Sequence, residues 1–135
     1  MFKISPIQNP ELQAEYAALC GAEAKNGFFG YAMTDAESGE LMGISQFEIL
    51  GNEGYISDLK QRIGAPDDYE AMFILGRATM NFIDLCGAHV ARAALDAADR
   101  RLLSAIGFKE ERDGSLYCDM SGFFDGNCDG TPVKL

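Results

Sequence analysis

The sequence predicts an α/β fold, a single domain with one mixed sheet and helices on both of its faces. Three observations predict it. The stretch Tyr55 to Leu59 reads as an interior strand, with large side chains on both alternating faces. A turn then leads into a long helix, about 68–85, that is apolar around most of its circumference (Met72, Phe73, Ile74, Leu75, Met80, Phe82, Ile83). Such a helix must be covered on more than one side, so it is the central one and lies against the sheet. The short apolar stretch His89 to Leu95 follows as a strand, joined by a connection that suits a right-handed parallel crossover.

The other elements follow from local signals. Phe2 to Ile7 alternates and reads as a first strand. Asn9-Pro10-Glu11 supplies a capping side chain, a proline for the first helical position and an acid near the positive helix end. That helix runs to about Cys20, with Leu12, Tyr16 and Leu19 on one face and Gly21 as terminator. Phe28 to Thr34 and Leu41 to Leu50 read as strands joined by the polar loop 35–40, and the turn 51–54 leads into Tyr55. These three strands form an antiparallel meander.

Beyond the long helix, Gly87 suits the left-handed position that closes it. Asp96 is expected to cap a helix over 97–106, ended by Gly107. A last hairpin joins Phe108–Arg112 to Ser115–Met120 through Asp113-Gly114. The order is therefore β-α-β-β-β-α-β-α-β-β. Residues 121–135 read as an irregular tail, pinned to the body by Phe123 and Phe124.

Composition narrows the function classes. The chain has 135 residues, 47% apolar and 24% charged, which suits one globular domain rather than disorder. No apolar run reaches the roughly 18 residues of a membrane span. The start, MFKISPIQNPE, lacks an export signal, and four cysteines without CxxC spacing suit reduced thiols, so a cytoplasmic location is expected. A net charge of −10 works against nucleic-acid binding, which needs a basic face. Asp125-Gly-Asn127-Cys-Asp129-Gly130 matches the opening of a calcium loop, but it has no flanking helices and reads as a polar turn. No metal is expected. The single histidine, His89, lies close to Cys86 and reads as structural.

A meander, then a βαβ crossover, then the stretch DAADRRLLSAIGF (96–108) resembles the GNAT superfamily of N-acetyltransferases. The resemblance implies acetyl-CoA as cofactor and direct acetyl transfer to a small amine. It also implies that the turn after the fourth strand presents backbone N–H groups to the cofactor pyrophosphate. In the family that turn carries Gln or Arg, two residues, Gly, one residue, then Gly or Ala. Gln61-Arg-Ile-Gly64-Ala-Pro66 matches the first two fixed positions and has proline at the third. The implied cofactor contacts are Leu59, Gln61, Arg62, Gly64 and Ala65, with Asp96 where the family often has asparagine. Leu103 stands where the family often has a tyrosine acid. Asp58, near the end of the central strand, is the candidate general base for an amine.

Asp67-Asp68-Tyr69-Glu70 has the spacing of a capping box, with Asp67 as N-cap and Glu70 three residues on. A self-capped helix start uses an N–H group that a phosphate needs, and the adjacent acids repel one. Lys60 and Arg62 are the nearby cations. Two functions stay open: an acetyltransferase-like protein with weak or lost cofactor binding, and a non-catalytic ligand-binding or protein-interaction module. A homodimer packed through Phe123 and Phe124 is a third expectation.

Overall fold

Four consecutive strands hydrogen-bond in chain order in the computed structural model, which describes residues 1–121. They are β1 (Phe2–Pro6), β2 (Phe29–Asp35), β3 (Leu41–Leu50) and β4 (Glu53–Gln61), each antiparallel to the next. The meander thus includes the first strand and has one strand more than the sequence suggests. Helix α1 (Pro10–Leu19) connects β1 to β2, and its Asn9 side chain accepts the Leu12 N–H at 2.7 Å. The central helix α2 (Tyr69–Leu85) returns the chain to β5 (Val90–Ala93), which lies parallel to β4. After α3 (Arg100–Ile106), β6 (Lys109–Glu110) and β7 (Leu116–Asp119) complete a sheet ordered β1-β2-β3-β4-β5-β7-β6.

Alternation along the strands divides the core into two layers. Met33, Phe47, Ile56 and Leu59 face α2 and α3, where they meet Leu75, Met80, Ile83 and Leu103. Ala32, Leu41 and Ile44 point the other way, toward Ala17 and Cys20 at the α1 side. Helices therefore cover both faces, as expected. A glycine decides how closely α2 approaches: a Cβ at Gly54 would lie 2.5 Å from Ile83 Cγ2.

One irregularity re-aims a functional candidate. Gln46 pairs with Asp58, whereas the next residue, Phe47, pairs with Ile56. Ser57 is the extra residue of a β-bulge, and the side-chain alternation of β4 inverts across it. Ile56 thus joins the α2 layer, while Asp58 comes out beside Gln46 on the α1 face.

Several boundaries differ from expectation. β4 extends to Gln61, so Asp58 lies inside the strand and is buried rather than near its end. Asp96 does not cap α3; Asp99 does, through Arg101 N–H at 2.7 Å, and the helix is correspondingly shorter. The reason is that residues 94–97 follow β4 instead of coiling, with Ala94 N–H on the Ile56 carbonyl and Leu59 N–H on the Ala97 carbonyl. The last hairpin turns through a wider loop, closed by Glu111 N–H to Ser115 O, because the Asp113 carboxylate accepts Ser115 N–H and ties down the loop. The expectations for Phe123, Phe124 and residues 125–130 lie outside the described residues.

Candidate functional site

Strands β4 and β5 pair over 53–56 and 90–93, and the chain after β5 stays bonded to β4 as far as Leu59 N–H and Ala97 O. Beyond that point a cleft of about 560 Å³ opens between the end of β4, the start of α2 and the start of α3. Leu59, Met72, Ala98 and Leu102 give it an apolar wall; Asp67, Asp68, Asp96 and Asp99 give it an acidic one. Lys60 and Arg101 are the cations of the same cleft. Arg101 lies over the Tyr69 ring at 5.0 Å, and Lys60 Nζ donates to the Asp96 carbonyl.

The turn from Gln61 to Asp68 spends four of its backbone donors on the chain itself. Arg62 N–H reaches Met42 O at 2.8 Å, Ile63 N–H reaches Leu19 O at 2.9 Å, and Ala65 N–H reaches Arg62 O at 3.2 Å. The Gln61 side chain holds both ends: its Oε1 accepts Asp68 N–H at 3.1 Å and its Nε2 donates to the Pro66 carbonyl. Arg62 Nε is bound to the Leu41 carbonyl at 2.8 Å. Gly64 takes the left-handed φ of +88° that the turn requires.

The N-cap of α2 is Asp68, whose Oδ1 accepts Ala71 N–H at 3.0 Å. The sequence suggested Asp67. The Gln61 clamp explains the shift, since it fixes Asp68 as the last extended residue, with φ of −134°. Glu70 then falls one position short of the reciprocal capping-box place.

This arrangement does not fit a coenzyme A pyrophosphate bound in the way the turn motif implies. A pyrophosphate needs unpaired N–H groups and positive charge at a helix start. Here Arg62, Ile63, Ala65, Asp68 and Ala71 N–H groups are already bonded, and a carboxylate caps the helix. Leu59 N–H, at the fork itself, is bonded to Ala97 O at 2.8 Å. The apolar wall, by contrast, suits a slender uncharged chain. Of the sequence-derived residues, Leu59, Gln61 and Asp96 meet at this cleft. Arg62 and Ala65, again with Gln61, line a smaller cavity of about 250 Å³ on the other side of the turn.

Asp58 belongs to a separate polar cluster on the α1 face. Its Oδ2 accepts from Gln46 Nε2 at 2.9 Å, Ser57 Oγ at 2.8 Å and Lys25 Nζ at 3.0 Å. Gln46 is fully buried, and its amide makes four bonds: to Asp58, to Glu23 O, from Gln13 Nε2 and from Lys25 N–H. Sequence reasoning reached Asp58 and missed Lys25, Gln13 and Gln46. A signal existed for Gln46, an amide in the middle of the apolar run LMGISQFEIL.

The remaining lures are structural. His89 Nδ1 meets Asp84 Oδ1 at 2.5 Å. Leu103 is buried in the main core. Burial pushes the Cys20 and Cys118 thiols up to about 11, so neither is a nucleophile at neutral pH. Among the described residues, no group of three or more His, Cys, Asp or Glu is placed to hold a metal ion. No described helix is long and apolar enough to cross a membrane.

Comparison with known proteins agrees with this geometry at the level of the fold. The ribosomal-protein-S18-alanine N-acetyltransferase of Escherichia coli is similar over 87% of this chain and 89% of its own, at 16% identity and a TM-score of 0.58. YhhK of the same species, named provisionally as an N-acetyl transferase and solved bound to coenzyme A, is similar over 88% and 98%, at 14% identity and 0.57. The PaiA N-acetyltransferase of Thermoplasma acidophilum, in complex with coenzyme A, matches over 65% of this chain and 57% of its own, at 13% identity and 0.51. No protein-family model and no curated protein sequence matches the chain. The fold is that of the GNAT N-acetyltransferases.

Proposed function

We propose an N-acetyltransferase-like protein that acts on a small amine, with acetyl-CoA as a weakly held donor. One observation carries this reading: the cleft at the β4–β5 fork has an apolar wall of Leu59, Met72, Ala98 and Leu102, beside a helix start closed by Asp68. The wall suits the uncharged arm of an acyl thioester. The Asp68 carboxylate at the helix start lowers the pyrophosphate contribution to binding. In solved relatives of the fold, coenzyme A is the bound ligand.

The amine side of the reading rests on Asp58. A carboxylate buried in the sheet is suited to hold the ammonium group of an amine. The test is thiol release from millimolar acetyl-CoA against a panel of primary amines, followed by mass spectrometry of the products. Amine-dependent release that disappears in Asp58→Asn supports the proposal, and release independent of every amine counts against it.

A specific observation favours a second reading, a non-catalytic ligand-binding module on the same fold. Leu59 N–H and the Arg62, Ile63, Ala65 and Asp68 N–H groups of the turn are bonded within the chain itself, without a cofactor. A protein that binds amines and shows no thiol release under any condition would match that reading.

A further inference from the structure

We propose that Lys25 is an internal occupant of an ammonium site. Its Nζ sits on the buried Asp58 carboxylate in the place of a primary alkylammonium ligand, which enters by displacing it. The inference rests on the amine side of the reading above and is independent of the cofactor side.

Three observations carry it. First, Asp58 is only 7% exposed, and two of the three donors on Oδ2, Gln46 Nε2 and Ser57 Oγ, are neutral groups fixed in the sheet. A buried carboxylate held by neutral donors alone still lacks a counter-charge, so the position demands a cation. Second, that cation comes from the loop between α1 and β2 and not from a strand or helix. The Lys25 side chain keeps 38% of its surface exposed, and the ion pair at 3.0 Å is its link to Asp58. Withdrawing it leaves the Gln46 and Ser57 bonds to Asp58 in place.

Third, a cavity of about 450 Å³ lies beside the pair, with Lys25, Gln13, Asn26, Phe28 and Phe29 in its wall. Its size is that of a small-molecule site. Lys25 is the residue common to the cavity wall and the ion pair. An alkyl chain packed against Phe28 in this cavity would approach the ion pair from the side of Lys25.

The experiment is calorimetric titration of the cofactor-free protein with n-butylammonium chloride. Lys25→Met should bind about tenfold more tightly than the original chain, since nothing has to be displaced. Lys25→Met combined with Asp58→Asn should not bind. Equal affinity with and without Lys25, or binding that survives loss of Asp58, overturns the proposal. Should Lys25→Met fail to fold, the original chain with 13C-labelled lysine decides: butylammonium must shift the Lys25 side-chain signal. A Lys25 signal that stays in place overturns it. Because no acetyl-CoA is present, failure here is distinct from failure of donor binding.

Discussion

The Gln46 side-chain amide donates to Asp58 Oδ2 across 2.9 Å, bridging β3 and β4 on the α1 face of the sheet. Gln46 is the hub of this cluster, because the same amide also fixes Glu23 and Lys25 of the loop. Gln46→Leu should leave Gln13 and Asp58 short of partners in a buried place. A destabilisation of about 2–4 kcal/mol is expected, read from urea unfolding midpoints. A loss within experimental error would mean that water or a rearranged loop replaces the amide.

Much of this fold was legible in the chain, and the reasons are local. The Asn9-Pro10 start, the 41–50 strand and the Gly87 stop depend on neighbours in sequence, and each stands where expected. The site was less legible because long-range register built it. Asp58 faces Gln46 only because Ser57 bulges, and no pattern in YISDLK announces a bulge. Asp96 lost its helix because residues 94–97 bond to β4, a contact 38 residues apart at Leu59 and Ala97. The capping-box spacing pointed to Asp67 as the cap of α2, and the Gln61 side chain, reaching across the turn, made it Asp68.

The α2 cap separates stability from ligand binding. Asp68→Ala should cost about 1 kcal/mol through the lost Ala71 bond. Asp68→Asn keeps a capping oxygen and removes a negative charge from the cleft. It should hold the melting temperature nearly constant and tighten acetyl-CoA binding by about two- to fivefold. Unchanged affinity would show that the turn does not meet the cofactor phosphates.

Gly54 tests the seating of the central helix. An added Cβ would press on Ile83 Cγ2 at 2.5 Å and Cδ1 at 2.8 Å, and a β-branched side chain gives way poorly. Gly54→Ala is expected to destabilise by about 1–3 kcal/mol in denaturant titrations. A stabilised variant would mean that α2 rides further from the sheet.

Thiol chemistry should divide sharply by burial. Cys86 is exposed, while Cys20 and Cys118 are buried, so of these three only Cys86 should react with a maleimide in the native state at pH 7. Desolvation raises both buried thiols from 9.0 to about 11. A raised pKa gives its full contribution below the unfolded value and loses it as pH climbs through the folded one. Stability should therefore fall between pH 9.0 and about 11, and the double change Cys20→Ala, Cys118→Ala should flatten that decline. An equally steep decline in the double variant would assign it to other groups.

Donor binding tests the account most directly. Calorimetric titration of the purified protein with acetyl-CoA should give saturable but weak binding, with a Kd of about 0.1–1 mM. An affinity in the low micromolar range or tighter would contradict it, because the bonded N–H groups and the Asp68 cap would then be no obstacle to the pyrophosphate.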